Sequence, residues 1–308
     1  MKEVCYIGLD VGTSGCKASV VDSKGKILAS ARREYKFESL APGRVELNPV
    51  MVWEKVQETL KEVAAAGYEP RMMSVSSIGE TLVLMDEQDR VLCNGIIYLD
   101  ERGTETMDEI REKISDVQIH RITGIPLNYM FSLNRLLWLR KHEPKLIEKT
   151  SSYFMFGDYI TYMLTGERMI DPSTASKSMM LDAWKLDWSG ELGELFQVPF
   201  SRFSPVAPTG TIAGTIRKEL ALELGLPPEL KVAAGCHDQC AATLGSGGVG
   251  AGDMAAGEGS SESLNLVAEQ EDITEKFLKK NICFEPYVKT GQYLVPVGQF
   301  SHGTCIRW

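Results

Sequence analysis

The opening of the chain alternates apolar runs with turn residues, which predicts a meander of three strands. Residues 4–9 form an almost unbroken apolar run, typical of a strand buried on both faces, and residues 17–21 and 27–29 supply two returning strands. Asp10 ends the first run and leads into Gly12-Thr13-Ser14-Gly15. A turn this rich in glycine and hydroxyl groups can present backbone N–H groups to an anion.

Helical periodicity follows the meander. Asn48-Pro49 supplies an N-cap and a first-position proline for a helix that Gly67 closes, and residues 52, 56, 60 and 63 place apolar side chains on one face. Further strands are predicted at 74–78, 82–85 and 91–98, whereas residues 41–46 favour a loop. We therefore predict an α/β domain in which helices flank a mixed sheet.

The rest of the chain continues the alternation of helices and strands. Helical patterns cover 103–114, 131–141, 158–164, 189–196, 218–224 and 239–244, and extended patterns cover 153–156, 211–216 and 231–236. Gly245-Ser246-Gly247-Gly248 then predicts a domain boundary, with residues 1–248 as a first domain. The short strands of residues 249–308 cannot easily close a core within about sixty residues, so we expect an incomplete second domain.

Composition narrows the class of protein. The chain has 308 residues, of which 44% are hydrophobic and 24% charged, as in ordinary globular domains. No apolar run reaches the ~18 residues of a membrane span and no signal peptide is recognisable, so we expect a cytoplasmic protein without a membrane partner. The net charge of -9 argues against a nucleic-acid partner. Seven cysteines, an odd number, predict free thiols.

Two aspartates follow strands at positions where they could act on a phosphorylated ligand. Asp10, beside the anion-binding turn, makes sense as a partner of a Mg²⁺ ion that accompanies ATP, or as a solvated hairpin residue. Asp238 lies between a strand and a helix and could accept the proton of a substrate hydroxyl, although aspartate is also a preferred N-cap. A zinc site from Cys236, His237 and Cys240 is less favoured, because zinc needs four ligands.

Two other strand ends carry polar groups that suit a polyol. Glu80 could accept hydrogen bonds from sugar hydroxyls or be a solvated turn residue. The ring of Tyr98 could form a wall of a sugar pocket, and Asp100 with Arg102 predicts a salt bridge that braces the same loop.

Several stretches together, all in the same order along the chain, resemble the FGGY carbohydrate kinases, which share a superfamily with actin, hexokinase and the heat-shock ATPases. The similar stretches are Gly8-Leu9-Asp10-Val11-Gly12-Thr13-Ser14, Pro42-Gly43 with Val45-Glu46, Tyr98-Leu99-Asp100-Glu101-Arg102, Leu164-Thr165-Gly166-Glu167, Asp171 with Ala175-Ser176, and residues 235–245. The resemblance implies a ribonuclease H-like fold, with the sugar on the first domain and ATP between two such domains.

The resemblance also implies roles for individual residues. Asp238 would be the catalytic base of a kinase that phosphorylates a ketose or related polyol, and Asp10 would be associated with magnesium. The implied sugar-binding residues are Glu80, Tyr98 and Gln239. The implied phosphate-binding residues are Gly12, Thr13 and Ser14 in a first loop and Gly259, Ser260 and Ser261 in a second.

The chain departs from the family pattern in places. Tyr98 stands where tryptophan is usual, His237 before the base is unusual, and Gly79 stands where glycerol kinases have arginine, which disfavours a glycerol kinase. The sequence ends before the adenine-binding segments of the family. A sugar-binding pseudo-kinase or sensor therefore stays open, as do an actin-like ATPase module and a homodimer.

Overall fold

A six-stranded mixed sheet organises the N-terminal part of the structure, a computed structural model that describes residues 4–258 and 262–299. The strands run in chain order as β1 (Cys5–Val11), β2 (Gly15–Asp22), β3 (Ile27–Glu34), β4 (Glu38–Ala41), β5 (Arg44–Leu47), β6 (Pro70–Ser77), β7 (Leu82–Met85), β8 (Gly95–Ile96), β9 (Ser152–Met155), β10 (Leu181–Asp182), β11 (Asp187–Trp188), β12 (Ile212–Thr215), β13 (Lys231–His237), β14 (Met254–Glu258), β15 (Glu262–Glu269), β16 (Glu285–Pro286) and β17 (Gln292–Gln299). The six-stranded sheet has the order β12-β13-β6-β1-β2-β3, with β1 parallel to β6 and β6 parallel to β13.

Helices cover one face of this sheet. In chain order the helices are α1 (Pro49–Ala64), α2 (Thr106–Lys113), α3 (Asp116–Thr123), α4 (Ser132–His142), α5 (Pro144–Lys149), α6 (Phe156–Thr165), α7 (Pro172–Ser176), α8 (Gly190–Phe196), α9 (Lys218–Leu224), α10 (Asp238–Gly245) and α11 (Glu275–Lys279). Apolar side chains of α1 and α6 pack with the buried side of β1 in one core. The amide N–H groups of Val50 and Met51 donate to the Asn48 side chain, as expected for an N-cap.

The prediction that the first strand is buried on both faces is wrong. Burial alternates along β1, so that Ile7 and Leu9 are buried while Tyr6 and Gly8 are exposed. The open-face positions carry an aromatic residue and a glycine, which read as apolar in the sequence. A half-buried strand therefore resembled a continuous apolar run.

Some elements differ from the predicted ones. The expected loop at 41–46 is a hairpin of β4 and β5, and the expected strand at 91–98 is reduced to β8. Helix α3 was not predicted, although Ser115 and Gln118 form its capping box, a signal present in the sequence. None of the six cysteines in the described part of the chain is in a disulfide, as expected, and Cys305 lies outside it.

A second sheet, the C-terminal sheet, has the order β14-β15-β17-β16. Part of its core is shared with the preceding chain, because Ala183 packs with Ala268, Phe284 and Tyr293. The segment that contains β16 therefore lies against residues from the N-terminal part.

Candidate active site

Three parallel strands bring polar residues to one edge of the six-stranded sheet. Asp10 on β1 and Cys236 on β13 both lie opposite Ser76 on β6, so their backbones are in register. The register depends on an irregularity in β13, where Gly235 lies so close to the carbonyl oxygen of Val75 that a Cβ would not fit. Asp10 and the residues that follow Cys236 are therefore neighbours in space, as the strand-end argument predicted.

Asp10 lies in an electrostatic environment that favours a cation. Partial desolvation raises the pKa of its carboxyl group, the hydrogen bond from Ser76 opposes this rise, and the negative charge of Asp238 adds to it. The Ser76 hydroxyl donates to Oδ1 at 2.7 Å. Two neighbouring carboxylates with an oxygen-rich donor set suit Mg²⁺, whose charge would relieve their repulsion.

The predicted phosphate-binding turn connects β1 and β2. The Gly12 N–H donates to the Gly15 carbonyl at 2.9 Å, so it is not the bare donor that the sequence suggested. The Tyr35 hydroxyl donates to the Gly12 carbonyl at 2.7 Å and fixes the turn from the side. Thr13 and Ser14 remain the candidate donors at the tip. Gly259, Ser260 and Ser261, the predicted second phosphate loop, lie outside the described residues.

Asp238 is the first residue of α10, directly after β13. The N-cap position belongs to His237, so Asp238 does not have the capping role that the sequence left open. Its side chain is 34% exposed, and its Oδ1 lies 3.2 Å from Nε2 of the buried His237. The carboxylate is therefore held on one side and accessible on the other, as a general base requires.

The three predicted sugar-binding residues lie in different elements, and the charge of this carboxylate acts on one of them, Tyr98. Burial raises the pKa of the Tyr98 hydroxyl, and the charges of Glu80 and Asp238 add to the rise, so both carboxylates act on Tyr98. Glu80 follows β6 and is fixed through its carbonyl oxygen, which accepts a 2.7 Å hydrogen bond from Ser132. Gln239 Oε1 accepts a 3.1 Å hydrogen bond from Asn265 on β15.

The loop after Tyr98 is braced as predicted. The carboxylate of Asp100 is fully buried and accepts hydrogen bonds from the Arg102 guanidinium at 2.6 Å and from the Val45 N–H at 2.6 Å. Arg102 also pairs with Glu46 at 2.8 Å. The hairpin of β4 and β5 and the Tyr98 loop are thus joined by one ionic network, which has a structural role.

Three residues near the site were not predicted from the sequence. Lys177 follows α7, Asn265 lies on β15 and Glu285 lies on β16, and all three are buried. Lys177 and Glu285 form an ion pair, and Glu285 also faces His237. A buried Lys or Glu is rare unless paired, but nothing in sequence spacing identifies partners 108 residues apart.

Comparison with known proteins assigns the family. Residues 5–245 match the model of the FGGY family of carbohydrate kinases, N-terminal domain. The chain belongs to the FGGY family. The resemblance seen in the sequence is confirmed by this match.

The relatives of this FGGY chain are named as kinases of different substrates. It is 32% identical over 99% of its length to a glycerol kinase from Thermococcus kodakarensis, and it covers 62% of that protein. It is 25% identical over 98% of its length to a gluconokinase from Bacillus subtilis, of which it covers 58%. The chain thus spans about three fifths of the relatives that it matches. A glycerol kinase is among these relatives. Sequence similarity therefore does not support the expectation, based on Gly79, that the chain is not a glycerol kinase.

The fold prediction is confirmed by solved structures. The chain superposes on a ligand-bound xylulose kinase from Lactobacillus acidophilus with a TM-score of 0.92 at 23% identity, over 99% of this chain and 62% of that one. A gluconate kinase from the same organism gives a TM-score of 0.93 at 23% identity, over 100% of this chain and 62% of that one. At this identity the likeness establishes the shared fold. Among the described residues, no helix has the length and apolar character that crossing a membrane demands.

Proposed function

We propose that this FGGY chain binds a ketose or related polyol and provides the general base of an ATP-dependent sugar kinase. The observation that carries the proposal is the position of Asp238, which directly follows β13 beside β6 and β1 and whose charge acts on both Tyr98 and Asp10. A sugar hydroxyl beside Asp238 would therefore have hydroxyl-binding groups and a cation site close by. The relatives named gluconokinase and xylulose kinase support a sugar substrate.

In the proposed reaction, Asp238 accepts the proton of the sugar hydroxyl as that oxygen attacks the γ-phosphorus of ATP. The new phosphorus–oxygen bond forms as the bond to the leaving ADP oxygen breaks, and the proton stays on the Asp238 carboxylate. Glu80 accepts hydrogen bonds from other hydroxyls of the sugar, and Tyr98 limits the space around it. Positioning and charge neutralisation supply most of the rate acceleration in such transfers.

The residues that would hold the nucleotide are proposed on the same basis. Asp10 would bind Mg²⁺, which neutralises phosphate charge when it is bound. The N–H and hydroxyl groups of Thr13 and Ser14 would donate to a phosphate, next to Gly12. Gly259, Ser260 and Ser261 stay a prediction for the opposite side of the phosphates. We also propose that residues 249–308 begin a second domain of the same type after a first domain of residues 1–248.

Substitution of the base tests the proposal. In Asp238→Asn we expect kcat to fall by about 10²- to 10⁴-fold, because the amide cannot accept the proton, while the sugar still binds. ADP release reports kcat and calorimetry reports sugar affinity, with xylulose, ribulose, gluconate and glycerol as the panel. Turnover is measured on the longest protein that the reading frame encodes. Asp116→Asn, at an exposed carboxylate on α3, is the matched control. Unchanged turnover in Asp238→Asn would contradict the assignment of the base.

A second candidate function is sugar binding without phosphoryl transfer, as in a sensor. The observation that favours it is that the candidate sugar-binding residues Glu80, Tyr98 and Gln239 all lie within residues 5–245, which match the N-terminal domain of the family. Calorimetric binding of a sugar without any release of ADP, both measured on the longest protein that the reading frame encodes, would support this alternative, whereas sugar-dependent ADP release would exclude it.

A further inference from the structure

Glu285 carries a negative charge from the C-terminal sheet into the site. It lies on β16, its side chain is fully buried, and it forms an ion pair with Lys177, which follows α7. Its Oε1 also lies 3.4 Å from Nδ1 of His237. Burial opposes ionisation of Glu285, but the charges of Lys177 and His237 lower its pKa to about 2. Glu285 is therefore a carboxylate at neutral pH.

His237 lies between two carboxylates. Its Nδ1 faces Glu285 and its Nε2 lies 3.2 Å from Oδ1 of Asp238. Burial and the ammonium group of Lys177 oppose protonation of the ring, yet Asp238 and Glu285 outweigh them and raise the pKa of His237. Each ring nitrogen thus faces a carboxylate oxygen at ion-pair distance, although Nδ1 makes no hydrogen bond.

The position of His237 is fixed by its surroundings. Its backbone N–H donates to the Ser173 hydroxyl at 2.9 Å, and that hydroxyl donates to the Asp171 carboxylate at 2.5 Å. A Cβ at Gly79 would lie 2.9 Å from Cδ2 of the His237 ring and would also clash with Lys177. The ring is therefore packed in one orientation between the glycine and the two carboxylates.

A metal ion is a poor explanation for this cluster. His237, Cys240 and Glu285 bring one potential ligand atom each within 4.8 Å of one another. However, the ammonium group of Lys177 already pairs with Glu285 and supplies the positive charge. Burying these charges carries a desolvation cost that their attraction only partly offsets, so stability alone gives little reason to keep them.

We propose that Glu285 and His237 are positioning residues for Asp238. Glu285 orients the imidazole of His237, and the imidazole N–H to Oδ1 of Asp238 leaves Oδ2 to accept the proton of the sugar hydroxyl. Because Glu285 belongs to the C-terminal sheet, the base is oriented only when β16 is seated against α7 and β13. This inference rests on the proposed role of Asp238.

Three variants separate positioning from a structural role. In Glu285→Gln we expect kcat to fall by about 10- to 100-fold, part of the contribution of a general base, with KM and the calorimetric sugar Kd within about twofold. His237→Gln should retain more of kcat than His237→Leu, because the glutamine amide can still donate to Asp238. Glu275→Gln is the matched control, since Glu275 pairs with Arg121 at 3.1 Å across the same boundary at an exposed position.

A double variant keeps the test decisive if Glu285→Gln folds poorly, and a spectroscopic measurement adds a second readout. Lys177→Met with Glu285→Met removes both charges together, which folded proteins tolerate. We expect the double variant to fold and to lose kcat as Glu285→Gln does. A nitrogen-15 titration of His237 should give a lower ring pKa in Glu285→Gln than in the wild-type protein, because the charge of Glu285 favours the protonated ring.

The outcomes are distinguishable from failure of the proposed function. If Asp238→Asn abolishes turnover while the folded double variant keeps wild-type kcat, the positioning role is wrong and the base assignment stands. An unchanged ring pKa of His237 in folded Glu285→Gln would also overturn the positioning role. If Asp238→Asn keeps turnover, the base assignment itself fails, and the positioning role fails with it.

Discussion

Phe284 and Glu285 are adjacent in the chain but contact the N-terminal part through opposite chemistry. Phe284 belongs to an aromatic contact, formed by His120, Trp184, Phe284 and Tyr293, with ring centroids 5.3 to 5.7 Å from that of Phe284. Glu285 belongs to a charged contact, formed by Lys177, His237, Asp238 and Glu285. One segment therefore joins the C-terminal sheet to the rest of the chain in two different ways.

The difference teaches which contact provides stability and which provides orientation. Aromatic pairs in tilted and edge-to-face arrangements contribute about 0.5–1.5 kcal/mol each beyond their buried area. Buried ion pairs often stabilise a protein less than apolar side chains of the same volume would. We infer that the aromatic contact keeps β16 in place, and that the charged contact uses this fixed position to orient Asp238.

The largest expected effect comes from breaking the aromatic contact. Phe284 is fully buried, so Phe284→Ala should reduce the free energy of unfolding by about 3–5 kcal/mol through lost burial and a cavity. Urea denaturation measures this change. Leu222→Ala, at an exposed position on α9, should change the free energy by no more than about 0.5 kcal/mol. A loss below about 1 kcal/mol in Phe284→Ala would mean that the aromatic contact does not hold the sheet.

A smaller effect should follow from a substitution beneath Phe284. Gly124 has a φ of 73°, and a Cβ at this position would clash with the backbone carbonyl oxygen of Phe284. Gly124→Ala should cost about 1–3 kcal/mol in backbone strain, plus the displacement of Phe284. Gly225→Ala is a matched control, because its φ is 72° and its nearest contact is Ala64 at 3.9 Å. Equal losses in thermal denaturation of the two variants would show that the Phe284 contact contributes nothing.

The smallest effect distinguishes the two buried histidines by pH. Burial lowers the pKa of His120, and the 3.0 Å contact of Nε2 with the Ile282 carbonyl only partly offsets this, whereas the pKa of His237 is raised. The unfolded chain therefore binds more protons at position 120, and the stability due to neutral His120 is lost as the pH falls through about 6.5. The stability due to His237 is present below about 6.5 and is lost as the pH rises through its folded pKa.

Urea denaturation of His120→Gln and His237→Gln, at pH values below and above about 6.5, tests the direction in which each histidine changes the stability with pH. The stability difference between wild type and variant should change in opposite directions with pH, by at most about 1.4 kcal/mol per pH unit for one proton. Differences that change in the same direction for both variants would contradict the assigned charge states. The exposed His142, replaced by glutamine, serves as a control.

Much of the site could be predicted because it follows from the geometry of a parallel sheet. Asp10 lies near the end of β1, Glu80 follows β6 and Asp238 follows β13, and the ends of these parallel strands meet at one edge of the six-stranded sheet. The apolar face of α1 was equally readable from its spacing. These features depend on local patterns, which a single sequence contains.

The rest depended on contacts between distant residues. Lys177 and Glu285 are buried only because each neutralises the other, and neither position differs in the sequence from an ordinary surface charge. The alternation of β1 was obscured by Tyr6 and Gly8 on the open face. The hydrogen bond from the Gly12 N–H to the Gly15 carbonyl likewise depends on the hairpin geometry, which brings these two residues together.

Gly79 has a consequence for how sequences of this type can diverge. The space that a side chain at position 79 would need is filled by the stem of Lys177 and the ring of His237. A larger residue at position 79 and a lysine at position 177 therefore exclude each other. Among related sequences, positions 79 and 177 should therefore change together. A related protein with a larger residue at position 79 would need a different cation to pair with the carboxylate at position 285.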